Sequence, residues 1–266
     1  MSEFSTHQRQ RLADLRILFD AITYKKNAAE AIRQYQKTIE NTIPDDVVIL
    51  VHQLMESNYP MEDIKSGINK MLNVLRRSID AYPYTSPADD TFFAVCIRNN
   101  NEVKNLLNTL RPYILDINKK GISDEITSGM LRLWKEVQKF TQYYIIKENV
   151  LFPLVEKYLP EYRCIAVMWS IHDDIRRNLS DLINLLSTNE LELSKLNRLT
   201  GEVFYNIYSI AFREERLLYP MISKNVPAAE IEKMWNESVE IGFPYINPDP
   251  KMQQSDEINI PTDLID

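Results

Sequence analysis

Apolar residues recur at three- and four-residue spacing along most of this chain, the period that turns one face of an α-helix toward a core. The first such stretch covers residues 4–23, with Leu12, Leu15, Ile17, Leu18 and Ile22 as its apolar positions. A second covers 28–40. Thr42-Ile43-Pro44-Asp45-Asp46 then reads as a helix start, with proline in the first turn and acids beside the positive end of the helix dipole. The third helix follows through Glu56. Asn58-Tyr59-Pro60-Met61-Glu62-Asp63 repeats the start signal for a fourth that runs to about residue 81. Tyr82-Pro83-Tyr84-Thr85-Ser86-Pro87-Ala88-Asp89 reads as a linker. Beyond it four long stretches are expected over 89–117, 122–158, 162–187 and 190–224, broken at Gly121, Pro160 and Thr188-Asn189. That number and length fit a four-helix bundle. Another helix, 227–240, caps it and stops at Gly242. The expected fold is all-α, with a helical module (1–85), a four-helix bundle with its capping helix (88–242) and a polar, acidic tail (243–266).

One segment occurs twice. Lys147-Glu148-Asn149-Val150-Leu151-Phe152-Pro153 returns as Glu214-Glu215-Arg216-Leu217-Leu218-Tyr219-Pro220, at a constant offset of 67 residues. Both copies read acid, two residues, leucine, aromatic, proline. In α-helical register Glu148 shares a face with Tyr144, Ile145, Leu151, Phe152 and Val155, and Glu215 with Tyr208, Ala211, Phe212, Leu218 and Ile222. Pro153 and Pro220 are expected to kink their helices one turn beyond the acid. Between the copies, His172 lies on the face of Ile165, Met168, Ile175 and Leu179. Three successive helices thus each place one potential ligand on an apolar stripe. A carboxylate there needs a partner, a proton or a metal ion.

These motifs, with Met168-Trp169-Ser170-Ile171-His172-Asp173-Asp174-Ile175-Arg176 between them, resemble the hemerythrin-like (HHE cation-binding) domain over residues 88–242. The part before it resembles a helical domain of unknown function often found beside such domains, through Pro44-Asp45-Asp46-Val47-Val48 and Met61-Glu62-Asp63-Ile64-Lys65. The resemblance implies a hemerythrin-like four-helix bundle with an iron pair held by several histidines and bridging carboxylates. This chain departs from that pattern. Its histidines are His7, His52 and His172, and Tyr143, Ile210, Phe92, Val95 and Asn100 stand where the family carries ligands. Glu148, His172 and one of Glu214 and Glu215 remain of the implied set.

Two readings follow. In one the di-iron site has degenerated, no cofactor is held, and the chain works as a non-catalytic sensor, regulatory or interaction module. Buried acids then pair with Arg176, Arg98 or a tyrosine hydroxyl, and Tyr143 hydrogen-bonds Glu148. In the other, Glu148, His172 and Glu215, helped by Glu214 or a Tyr143 phenolate, hold iron or another divalent metal such as manganese or zinc. The resemblance then implies oxygen, nitric oxide or iron handling. An enzyme would need that metal, because no nucleophile–base arrangement or phosphate loop occurs.

The net charge of −7 speaks against nucleic acid and anionic membranes as partners. A protein partner, a second copy or a small ligand in the bundle core stays open. No apolar run is long enough to span a bilayer. Cys96 and Cys164 lack paired or metal-type spacing. With no secretory pattern in the first residues, the expected location is the cytoplasm. Trp134, Trp169 and Trp235 are expected as core and cap anchors.

Overall fold

The computed structural model describes residues 6–89, 91–160, 162–188 and 191–248. Among them all regular structure is helical, without a strand, as the periodicity predicts. The first helices are α1 (Thr6–Thr23), α2 (Ala28–Gln34), α3 (Gln36–Glu40), α4 (Pro44–Glu56) and α5 (Met61–Ala81). The single helix expected over 28–40 is divided at Tyr35. The start of α4 follows its sequence signal: Pro44 opens the first turn and the Asp46 carboxylate accepts from the Ile43 N–H at 3.1 Å. Asp46 is buried and also receives Arg11 Nε at 2.9 Å, which ties α1 to α4.

The later helices are α6 (Phe92–Lys120), α7 (Asp124–Gln138), α8 (Thr141–Ile146), α9 (Phe152–Tyr158), α10 (Cys164–Leu186), α11 (Leu193–Arg213), α12 (Tyr219–Asn225) and α13 (Ala228–Ile241), with α6, α7, α10 and α11 as the long rods. Thr91 and Ser123 cap α6 and α7 through their hydroxyls. Gly121 and Gly242, at φ of 88° and 87°, end α6 and α13 in a conformation that costs a side-chain-bearing residue more. The rods close a ring: α6 packs on α7, α7 on α10, α10 on α11 and α11 on α6.

Both copies of the repeated segment depart from α-geometry in the same way. Lys147–Leu151 and Glu214–Leu218 are π-helical turns, closed by Phe152 N–H donating to the Lys147 carbonyl and Tyr219 N–H to the Glu214 carbonyl. Pro153 and Pro220 are each the second residue of the α-helix that follows. The break expected at each proline is thus met by a turn carrying one residue more than an α-turn.

Helices α4 and α5 sit against α10 and the second π turn, and one continuous apolar core runs through both parts of the chain. Lys65 of α5 reaches Asp174 of α10 at 2.6 Å, and Ser209 of α11 donates to Asn69 at 2.6 Å. Residues 243–248 carry no helix, yet they are fastened. The Asn99 side chain accepts from the N–H groups of Tyr245 and Ile246 and donates to the Ile246 carbonyl. The rest of the expected tail, 249–266, lies outside the described residues. Replacing Asn99 with alanine removes this clasp. Its expected result is faster amide exchange at Tyr245 and Ile246 and a stability loss of about 1–3 kcal/mol. Unchanged exchange at these two amides would show that the clasp does not hold the segment.

Candidate functional site

The π turns set the register of the site. A widened turn brings two consecutive side chains inward, so Lys147 as well as Glu148 is buried, and Glu214 is buried beside the partly exposed Glu215. Lys147 and Glu214 are counterparts in the repeat and meet directly, with Lys147 Nζ donating to Glu214 Oε1 at 2.5 Å. They are 1% and 0% exposed, the most deeply buried ion pair among the described residues. Glu214 also accepts from Asn100 Nδ2 at 3.0 Å and from the Tyr219 hydroxyl at 3.1 Å. Since Tyr219 gives its proton to a carboxylate, its 2.9 Å contact with the Tyr143 hydroxyl has Tyr143 as donor. The Lys147 ammonium stands 3.7 Å from the Tyr143 ring centre, 5.1 Å from Phe140 and 5.2 Å from Tyr144. The aromatic faces supply cation–π attraction where no water can. Burial pulls the Lys147 ammonium below its ordinary value against the opposing pull of Glu214.

The acids that the repeat aligns, Glu148 and Glu215, stand in matching settings. Each meets a neutral hydrogen-bonding side chain and a cation placed four residues apart on a facing helix. Glu148 receives His172 Nδ1 at 2.8 Å and Arg176 Nη2 at 2.6 Å, both from α10. Glu215 receives Asn100 Nδ2 at 3.2 Å and Lys104 Nζ at 2.7 Å, both from α6. Spacing of i, i+4 puts both donors on one helix face. Burial alone would raise the Glu148 carboxyl; the hydrogen bonds from His172 and Arg176 outweigh it and hold the group below the usual carboxylate range.

His172 is fully buried, and its ring is stacked between Tyr144 (centres 3.9 Å apart) and Phe152 (5.6 Å). Burial pushes the imidazole down to about 4, so it is neutral at neutral pH. An ionised Glu148 at Nδ1 places the hydrogen there and leaves the Nε2 lone pair facing the interior. His172 Nε2, the Tyr144 hydroxyl and Asn100 Oδ1 have no hydrogen-bond partner among the described residues. Burial raises the hydroxyl pKa values of Tyr143, Tyr144 and Tyr219 well above the ordinary tyrosine value. Tyr143 is therefore a protonated donor to Tyr219, in place of the expected contact with Glu148.

The side chains singled out from sequence fall into two hydrogen-bonded groups, Glu148 with His172, and Glu214, Glu215 and Tyr143 through Asn100 and Tyr219, with the Tyr144 ring beside both His172 and the Lys147 ammonium. Of the cations, Arg176 was expected beside a buried acid and does pair with Glu148, whereas Lys147 and Lys104 were not legible. Lys147 hides in the α-helical register, which turns it away from the core. Its signal is the 67-residue offset, which lays a lysine over a glutamate one position before the aligned acids. Lys104 was signalled by the parallel between Asn100-x-x-x-Lys104 and His172-x-x-x-Arg176. Arg98 turns instead to the Asp89 carbonyl. Asn99 holds the backbone of Tyr245 and Ile246, while its neighbour Asn100 reaches the acids Glu214 and Glu215. Trp134 and Trp235 are buried, but Trp169 is 37% exposed and is no core anchor.

An iron pair, or any divalent ion bound by several protein ligands, needs carboxylates free to bridge and neutral nitrogen donors. Here Glu148 is matched by Arg176, Glu214 by Lys147 and Glu215 by Lys104. A divalent ion among them would face an ammonium already seated on the innermost carboxylate. The nitrogen donors come down to His172 Nε2. Among the described residues no three His, Cys, Asp or Glu side chains form a group able to hold a metal ion. The residues present do not fit the implied iron centre.

Comparison with protein-family models, with characterised proteins and with solved structures gave no match. No described helix is long and apolar enough to cross a membrane.

Proposed function

We propose that this chain is a hemerythrin-like helical bundle in which an internal ionic network stands where the family carries iron, and that it acts by binding, as a regulatory or interaction module, rather than by catalysis. The observation that carries this reading is the Lys147 ammonium. It occupies the interior between the two copies of the repeat, bonded to Glu214 and faced by aromatic rings. Such an ammonium supplies the positive charge that buried carboxylates require, and it has no open coordination site at which a substrate could react. A competing reading keeps a metal in oxygen, nitric oxide or iron handling. The feature that favours it is His172 Nε2, which has no hydrogen-bond partner among the described residues, while Glu148 holds Nδ1 as a carboxylate holds the far nitrogen of many metal-binding histidines.

Elemental analysis of the purified protein beside a Glu148→Ala, His172→Ala double variant separates the two. The expected result is iron, manganese and zinc far below one equivalent in both. A near-stoichiometric metal that disappears in the variant would overturn the proposal and establish the metal site.

A further inference from the structure

Helices α5 and α11 face one another across an open cleft of about 70 Å³ whose lining includes no member of the interior network. From α5 it takes Asn69, Leu72, Asn73 and Arg76, spaced i, i+3, i+4, i+7 so that all four share one face. The same spacing on α11 presents Tyr205, Tyr208, Ser209 and Phe212. The floor is buried, with Asn69 6% exposed. Asn69 Oδ1 accepts from the Ser209 hydroxyl at 2.6 Å, while Asn69 Nδ2 has no hydrogen-bond partner among the described residues. At the rim, Tyr205 is 42% exposed and the Arg76 side chain 61%. Burial raises the Tyr205 hydroxyl and the Asn73 side chain donates to it, so the phenol keeps a hydrogen to give. The Arg76 guanidinium lies over the Phe212 ring, 4.9 Å from its centre, and Phe212 is a wall of the same cleft. Arg76 Nε donates to Asp80 at 3.3 Å, and Nη1 and Nη2 carry no hydrogen bond among the described residues. Asp80 also receives Arg216 Nε at 3.2 Å, so one carboxylate is shared by two guanidinium charges.

We infer that this cleft between α5 and α11 is a binding site for an aromatic monocarboxylate of benzoate size. The carboxylate follows from the open donors: Asn69 Nδ2 at the floor, the Tyr205 hydroxyl, and the outer nitrogens of Arg76, a planar fork that matches two oxygens in one plane. No acid lines the cleft to oppose it. The single charge follows from Arg76, the one charged residue of the lining. The ring follows from Tyr205, Tyr208 and Phe212, whose aromatic faces and edges suit another flat apolar body. The size follows from the volume, room for about five waters or for one six-membered ring with a small substituent. A ligand seated there touches α5 of the N-terminal helices and α11 of the ring together, so its binding fastens the two parts of the chain. Since the cleft shares no residue with the interior network, the inference does not depend on how that network is read.

The test is titration of the intact protein with sodium benzoate at constant pH and ionic strength, read by saturation-transfer NMR and by the thermal unfolding midpoint. Sodium acetate (charge without ring), benzamide (ring without charge) and inorganic phosphate serve as comparisons. Wild-type protein should bind benzoate saturably, and its midpoint should rise with benzoate concentration as mass action requires. Each comparison compound should bind at least tenfold more weakly. Arg76→Gln changes an exposed rim residue, should fold as the wild type does, and should weaken benzoate binding at least tenfold. Asn69→Asp keeps the shape of the floor but sets a carboxylate against the incoming one, and should abolish saturable binding. Absence of saturable benzoate binding to the wild type, equal binding by either variant, or acetate, benzamide or phosphate bound as tightly as benzoate would each overturn the assignment.

Discussion

Changing Lys147 to methionine should destabilise the protein by about 3–5 kcal/mol, the range for leaving one member of a buried ion pair without its partner. Glu214 would keep its bonds from Asn100 and Tyr219, but these neutral donors do not replace an ammonium at 2.5 Å. Glu214→Gln should cost about as much for the opposite reason, since Lys147 would be left with only aromatic faces around it. The double change, Lys147→Met with Glu214→Gln, should recover most of either loss. Buried ion pairs replaced as a whole by neutral groups of similar size are often close to neutral in stability. Urea unfolding of the four proteins of the cycle measures this. Losses that simply add would mean that the two groups do not interact, and the internal pair would lose its place in the proposed function.

The second large effect is acid sensitivity through His172. Its folded-state pKa of about 4 lies below the ordinary 6.5. Between these values the unfolded chain binds the proton and the folded chain does not, so stability must fall as pH falls. The contribution is fully present above about 6.5 and lost progressively down to about 4. It amounts to about 3 kcal/mol in total, with a slope of up to about 1.4 kcal/mol per pH unit. Glu148, held below the usual carboxylate range, adds a loss of the same sign in more acidic solution. Unfolding free energies at pH 7, 6 and 5 should show this slope in the wild type and a markedly flatter one in His172→Gln. Parallel profiles for the two proteins would place the acid sensitivity elsewhere.

The sequence disclosed the helices and the acids more readily than the cations. Pro44, Pro60, Gly121 and Gly242 act through local backbone chemistry, and the structure starts or ends helices beside each of them. Glu148, His172 and Glu215 stood out because an ionisable group on an apolar stripe is conspicuous at any register. Lys147 did not, because α-helical spacing turns it outward, and only the π turn brings it inside. Arg213 was hidden differently: it ends a regular helix, yet it is buried and lines one cavity with residues of α4, α5 and α10, a long-range packing event that no local period encodes. Tyr143 was expected to bond Glu148 but meets Tyr219, and Asn99 meets the backbone at residues 245–246; both partners are fixed by tertiary placement.

The paired π turns also constrain how the chain can change its length. Each turn is an α-helix with one surplus residue, and exposed Asn149 lies in the first of them. A one-residue deletion there would leave α8 and α9 in phase with one another, so the rods could still pack. It would nevertheless turn either Lys147 or Glu148 out of the core and strand its partner on the other side. The length of this segment is thus a parameter of the charge balance in the interior. Because the two turns contribute opposite halves of the central pair, a length change in one copy can be matched only by a change in the other.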